Sequence, residues 1–345
     1  MGSTKHNENI NVYGGLSAST ISATSISVTN YNGLPIDIRI TGGTYTAGTA
    51  TYTNNTGGTF TVTGFTSGST SPYRNNSTTS TGIEPVLGNN IATGIYSTIG
   101  GGTGNTANNE YNTIGGGLRN ISSATYGSTI GGGSGNTASG VYSFVGGGQN
   151  NIASGPRSTI GGGCCNLANA TSTIAGGSSN TASGTNSALG GGLSNTASGH
   201  YSFVGGGWGN VASGIKSTIG GGRCNTTSAG YGTIAGGWSN TVSAIYSTIS
   251  GGYQNLACGA CSFVGGGRAN HVCSGFGTIG GGCTNIVRGV SSTIGGGCNN
   301  LITGATATIG GGTSNINYGA CSIIGGGKSN TIAIAATNST IVGGT

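Results

Sequence analysis

Four carboxylates, three histidines and nine cysteines are the residues of this 345-residue chain that lend themselves to chemistry. Cleaving a glycosidic bond takes two carboxyl groups that share the roles of acid and base or nucleophile. The four present are Glu8, Asp37, Glu84 and Glu110, scattered over the first third, and beyond Glu110 there is no Asp or Glu at all. A Ser-His-Asp arrangement fails for the same want of a carboxylate, and His6, His200 and His271 stand in no recognisable motif. The expectation is a protein that is not an enzyme and takes no cofactor.

Cysteine supports a sharper reading. Cys258-x-x-Cys261, followed by His271 and Cys273, has the residue types of a four-coordinate zinc site. Against this, Cys258 and Cys273 are 15 residues apart, as are Cys283 and Cys298, and 15 is the period of the sequence itself. Residues stacked in one column of a repeat lie about 4.8 Å apart. That is within the range of disulfide Cα separations, although parallel side chains are not ideal for the bond. The reading taken is of stacked thiol or disulfide pairs, Cys258 with Cys273 and Cys283 with Cys298, and no metal. Nine is odd, so at least one thiol is free or intermolecular.

What positions these residues is a repeat. Units resembling STIGGGSGNTASGVY, residues 128 to 142, begin at 97, 112, 128, 143, 158, 172, 187, 202, 217, 232, 247, 262, 277, 292, 307 and 322, with a partial copy from Ser339. With the opening small residue as position 1, position 3 is Ile, Val or Leu in every copy, from Ile99 and Ile114 to Ile324. Glycines mostly fill positions 4 to 6, and position 11 is usually Ala. Position 9 is invariably Asn: Asn105, Asn120, Asn136, Asn151, Asn166, Asn180, Asn195, Asn210, Asn225, Asn240, Asn255, Asn270, Asn285, Asn300, Asn315 and Asn330. A short fixed period of this kind signals a solenoid in which neighbouring units supply each other's core. Stacked asparagines would form an amide ladder. The predicted fold is all-β: a parallel β-solenoid of about sixteen 15-residue coils over residues 97–345, with two short strands per coil and glycine turns between them. Its thin interior argues for side-by-side assembly of chains.

Composition narrows the class. Gly 78 without a three-residue period excludes collagen, and 4% charge with four prolines is unlike a disordered chain. No apolar run approaches the roughly 20 residues of a membrane span, and MGSTKHNENI lacks the apolar core of a secretory signal. The repeat region keeps Arg119, Arg157, Lys216, Arg223, Arg268, Arg288 and Lys328. So thin a field, with no nucleic-acid-binding motif, predicts no nucleic-acid partner. Residues 1–33 read as a Ser/Thr-rich fibrous or attachment segment. Residues 34–96 read as a small β-hairpin region, centred on Asn54-Asn55-Thr56-Gly57-Gly58, and a linker.

Two outward columns stand out. Position 7 reads Trp208, Arg223, Trp238, Tyr253, Arg268 over five consecutive coils. Such a column could stack on sugar rings and hold anionic groups of a host-cell glycan, or it could build a cation–π ladder of its own or pack on a neighbouring chain. Position 2 is normally Thr but enlarges every fourth coil, at Phe144, Phe203, Phe263 and Ile323, which points to duplication of a four-coil block and to filling of an interface gap.

The run N-x-A-S-G-x-Y-S-x-[IV]-G, as at residues 136–146, resembles the head repeats of trimeric autotransporter adhesins, the YadA-like family, with one extra glycine per unit. That resemblance covers residues 97–342 and implies a left-handed parallel β-roll assembled as a homotrimer. The leader, NVYGGLSASTISATSIS followed by ITGGTYTAGTATYTNNTGGTFTVTGF, is similar to N-terminal portions of tail-fibre proteins of tailed bacteriophages, which are also trimers. Together these resemblances imply a structural tail-fibre or adhesin shaft, in the virion or outside the cell, with other virion proteins and a host glycan as partners and no membrane insertion. The alternative is a secreted cell-surface filament that polymerises into fibrils.

Overall fold

The computed structural model describes residues 40–46, 49–54, 59–63, 73–75, 83–85 and 88–345, so the reading of residues 1–33 lies outside the described residues. The chain divides into two units, residues 1–70 and 71–345. In the first, strands β1 (Ile40–Thr46), β2 (Thr49–Asn54) and β3 (Thr59–Thr63) form an antiparallel sheet in the order β1-β2-β3. The β2–β3 pair, from Thr49 opposite Thr63 to Thr53 opposite Thr59, brackets the Asn-Gly-rich stretch where alternation predicts a hairpin. The sequence reading does not separate out β1. It contains Gly42 and Gly43, and its register shifts between Ile40 and Gly42, so it scans as a turn.

The second unit is an all-β parallel solenoid. It opens with β4 (Tyr73–Asn75) antiparallel to β5 (Ile83–Pro85), and β5 pairs in parallel with the first strand of the next coil, Ile83 beside Thr98. From there each coil contributes one two-residue strand at positions 2 and 3 and another at positions 10 and 11. The first series runs from Thr98–Ile99 to Thr340–Ile341 and the second from Ile91–Ala92 to Thr331–Ile332, seventeen strands in each. Every strand pairs in register with its counterparts in adjacent coils, as Thr129 with Phe144 and Ile130 with Val145. Neither ladder closes on itself: Ile91–Ala92, Thr331–Ile332 and Thr340–Ile341 pair on one side only, and Thr98–Ile99 is met by β5. Seventeen coils at about 4.8 Å make a rod roughly 80 Å long.

The solenoid starts earlier than the repeat pattern suggests. Ile91–Ala92 pairs with Thr106–Ala107, and Asn90 heads the asparagine column, so Ile83–Pro85 and residues 88–96, which composition assigns to a linker, already belong to the stack. This first turn lacks the triple glycine and contains Pro85, which disguises it.

Strand pairing is period-2, so positions 3 and 11 face inward. Ile99, Ile114, Val145 and Ile219 at position 3, and Ala107, Ala138 and Ala212 at position 11, are fully buried. One aliphatic facing one methyl per layer makes a core a single side chain wide. Toward the C-terminus position 11 enlarges to Val242, Val272, Val287 and Ile302, all buried. Position 1 shrinks to glycine in two places only, and Ser262 and Ser292 stay buried in the coils of Val272 and Ile302. The position is usually a buried Ser, but it is Gly232 in the coil of Val242, and a Cβ there would stand 2.9 Å from the Val242 Cγ1. Gly277 is hemmed in likewise by Val272 and Val287. At these two sites the missing Cβ leaves room for the neighbouring valine methyls.

The corners differ from expectation. Glycine does make one: position 6 has φ between 81° and 96° in all sixteen full coils. Two further corners, at positions 8 and 15, are left-handed yet mostly not glycine, including Arg119 (φ 53°), Asn150 (52°), Tyr142 (58°) and Phe276 (58°). The compensation is visible in the hydrogen bonds. Strand amides donate toward the next coil, as Thr129 N–H to Ser143 O at 2.9 Å. The left-handed residues donate backward, as Arg119 N–H to Thr103 O at 2.9 Å and Tyr201 N–H to Thr185 O at 2.9 Å. A strain of roughly 1–2 kcal/mol per left-handed residue is offset by a backbone bond that a right-handed residue there would not make. The position-8 bond also creates a third ladder, of single bridges between successive position-7 residues from Thr103–Leu118 to Thr313–Lys328.

Candidate functional site

The asparagine column forms a continuous network beside the core. In every full coil the Asn backbone N–H donates to the Oδ1 of the preceding Asn, at 2.9–3.0 Å. The Nδ2 then ties glycine corners together. Asn225 Nδ2 donates to Gly221 O of its own coil (3.0 Å) and Gly237 O of the next (2.9 Å), and approaches Asn210 Oδ1 at 3.2 Å. The ladder is therefore mostly amide-to-backbone, with side-chain amide pairing as a secondary feature. Of the sixteen, all but Asn330 are buried, and each of those fifteen amides has partners for donor and acceptor alike, as a buried amide requires.

Position 7 lies on the third ladder, which holds its side chains outward in one file. Arg223 is sandwiched, its guanidinium carbon 4.0 Å from the Trp208 ring centroid and 5.1 Å from that of Trp238. Trp238 packs on Tyr253 at 4.6 Å with 36° between planes, and Arg268 lies over Tyr253 at 6.0 Å. All five residues thus form one cation–π stack along the rod, and the ring faces between neighbours are occupied. What the column shows outward is edges: Trp208 is 43% and Trp238 45% exposed. Stacking a sugar flat on the shared faces would require expelling Arg223 from between the two indoles.

A second file, at the position-15 corner, holds Tyr96, Tyr111, Tyr126 and Tyr142, with centroids 5.2, 4.8 and 5.5 Å apart. Crowding among these phenols raises the Tyr126 pKa above 10.0: desolvation contributes most, then the charges of Tyr111 and Tyr142. Farther along, Lys216 sits 5.2 Å from the Tyr231 ring centroid, and Tyr231 stacks on Tyr246 at 4.8 Å. Counted from the start of each unit, Tyr111, Tyr126 and Tyr142 all fall at position 15, so the file is readable in the sequence; in the fold the left-handed corner of that 16-residue coil is Gly127, one place after Tyr126.

The cysteines of adjacent coils are joined. Cys258 bonds Cys273 with Cα atoms 4.6 Å apart, and Cys283 bonds Cys298 at 4.7 Å. The first disulfide removes two of the sulfurs that the zinc reading needs. Cys261 is exposed and His271 half-buried at position 10, and among the described residues no three His, Cys, Asp or Glu side chains gather to hold a metal ion. Cys164 and Cys165 bring their sulfurs to 2.8 Å, and this contact raises the Cys164 thiol pKa.

Position 5 is the least expected column. It is glycine in all sixteen full coils, yet a Cβ there would meet no atom of the chain closer than 3.8 Å. Position 4, where a Cβ would crowd the carbonyl of the next coil, nevertheless accepts Ala175, Ala235 and Ser250. Gly191, Gly251 and Gly266 have φ of 151°, 159° and 152°, which favours glycine, but at the other position-5 sites neither backbone angle nor crowding accounts for the bareness.

The position-2 phenylalanines are half-exposed, at 40% for Phe144 and 42% for Phe203. Each ring lies over the position-4 glycine of its own coil, Phe144 Cε1 standing 3.5 Å from where a Cβ of Gly146 would be. The rings cover backbone of their own chain, which accounts for part of their size without a partner.

A scan against protein-family models finds no match, and a search of curated proteins returns none either. Among the described residues no helix is long and apolar enough to cross a membrane.

Proposed function

We propose that this chain is a non-enzymatic fibre protein whose solenoid is a rigid shaft, assembled laterally as a homotrimer and carrying a host-attachment surface on a viral tail fibre. The observation that carries the reading is the unbroken stack of seventeen coils on a core one side chain wide. Such a rod resists bending but buries little apolar surface per residue, and lateral partners supply more. Bare position-5 glycines along its whole length support close lateral approach of a body with the same pitch, which another copy of the rod has. The chemistry left to the solenoid agrees. Its described carboxylates are Glu84, which is buried and accepts the Ala92 N–H, and Glu110, which is exposed on the first full coil. Nothing there resembles an acid–base pair facing a cleft.

Light scattering on the purified protein tests the assembly, with a mass three times that of the 33.0 kDa chain as the expected result. Replacing Gly162, Gly221 and Gly281 together by Arg should give a folded monomer, whereas Arg at the position-8 residues Ser194 (exposed), Ser239 and Ser314 (both half-buried) should leave the mass unchanged. A monomeric wild-type protein refutes the trimer. Electron micrographs showing fibrils of indefinite length, in place of short rods of one length, would instead favour a self-polymerising filament.

A further inference from the structure

The position-7 stack fixes two guanidinium groups in the orientation that best presents them to an anion. Arg223 lies between two indole rings, so both of its faces are taken up by aromatic carbon, whereas Arg268 has one aromatic neighbour, the Tyr253 ring with its centroid 6.0 Å from the guanidinium carbon. A guanidinium stacked this way keeps its N–H donors in the plane of the group, at the rim of the stack. Both arginines are exposed. No carboxylate follows Glu110 in the sequence, so neither has an acidic neighbour within its part of the rod. The entropy of ordering a long side chain has already been spent on the stack, which lowers the cost of binding.

We infer that Arg223 and Arg268 form a binding site for an acidic polysaccharide, each fork taking two oxygens of one carboxylate or sulfate group while the exposed edges of Trp208, Trp238 and Tyr253 border the sugar rings between. The inference rests on reading the rod as an attachment fibre and specifies the ligand class that surface takes. Three coils separate the arginines, about 14 Å along the axis, so a linear ligand lying along the column meets both forks with acidic groups at that spacing. A neutral glycan gains nothing from the forks, and the occupied ring faces give it no flat platform.

The test is binding of the full chain to heparin (sulfated), polygalacturonate (carboxylated), dextran (neutral) and duplex DNA, followed by titration calorimetry at two salt concentrations. One or both acidic polysaccharides should bind, more weakly at higher salt, and dextran should not. The sulfated and carboxylated arms identify which anion is preferred. The pair Arg223→Gln and Arg268→Gln should weaken binding about tenfold or more, since each fork makes charge-assisted hydrogen bonds. Arg157→Gln with Arg288→Gln, an equal change in net charge on other columns, should alter it by less than about twofold. Arg223→Lys should not restore binding, because an ammonium has neither the fork nor the flat face. Equal loss in both double variants, or DNA bound as tightly with the same sensitivity to Arg223 and Arg268, overturns the site in favour of diffuse positive charge or phosphate recognition. Failure of binding by a trimeric rod overturns the site alone, and binding by a monomer overturns the trimer alone.

Discussion

Gly222 and Asn225 share a corner that has no room for a second side chain: a Cβ on Gly222 would stand 2.7 Å from the Asn225 Nδ2, which is bonded to Gly237 O of the next coil. The same pairing of position 6 with position 9 recurs along the rod, as with Gly133 and Asn136. The two columns are fitted to each other, and Gly222 is held independently as well, by its φ of 89° and by the Gly237 carbonyl oxygen 2.2 Å from where a Cβ would be. Asn225→Ala should leave the Asn240 N–H and the Gly221 carbonyl without these partners, costing about 3 kcal/mol at roughly 1–3 per buried orphan group. The check is the urea midpoint together with hydrogen exchange at the Asn240 amide. An unchanged midpoint would mean that the column is not a stabilising element.

In the coil of Gly232 and Val242, core volume is shared between position 1 and position 11. Gly232→Ser forces a side chain against Val242 and should destabilise by about 1–3 kcal/mol. Adding Val242→Ala restores the Ser–Ala combination of coils such as the one starting at Ser202 with Ala212, and should recover most of that loss. A double-mutant cycle measures the coupling. Simple additivity of the two single effects would contradict the volume argument.

The disulfides each close a loop of 15 residues between adjacent coils. Chain entropy for a loop of that size gives about 3 kcal/mol per bond. Reduction, or Cys258→Ser with Cys283→Ser, should lower resistance to unfolding chiefly over residues 247–306, with the coils before residue 217 little affected. Exchange mapped by peptide mass spectrometry reads this directly. Uniform loss of protection along the whole rod would count against local stapling.

Alkaline pH should loosen the N-terminal tyrosine file. The folded-state pKa of Tyr126 is raised, so its contribution to stability is present below the ordinary phenol value of 10.0 and is lost as pH rises through the higher folded value. Tyr126→Phe should flatten the stability profile above about pH 10. Ultraviolet titration of the phenols beside chemical denaturation at pH 9 and 11 provides the comparison.

Much of the solenoid was legible because repetition exposes columns. Ile99 to Ile324 at position 3 and the asparagines at position 9 identify an inward face and a ladder without any structure. The corners were not legible in the same way. A left-handed residue at Arg119 or Tyr142 is set by where its N–H must go, back to the preceding coil, and side-chain type carries little trace of that. The first turn was hidden by Pro85 and the missing glycines, although Asn90 marks it once the ladder is known. For the position-7 column, the residues and their pitch were readable. That Arg223 lies between the two tryptophans, leaving edges in place of faces, depended on side-chain orientation that spacing does not determine.

Hydrogen bonds and packing in the rod run from each coil to its immediate neighbours, and the enlarged residues Phe144, Phe203, Phe263 and Ile323 mark blocks of four coils. Removing or adding one such block at a matching boundary lets the rejoined ends remake the backbone ladders, although a cut at residue 262 also parts Cys258 from Cys273 and Tyr253 from Arg268. Reach therefore behaves as a quantity in steps of about 19 Å, open to recombination between copies without any change in cross-section.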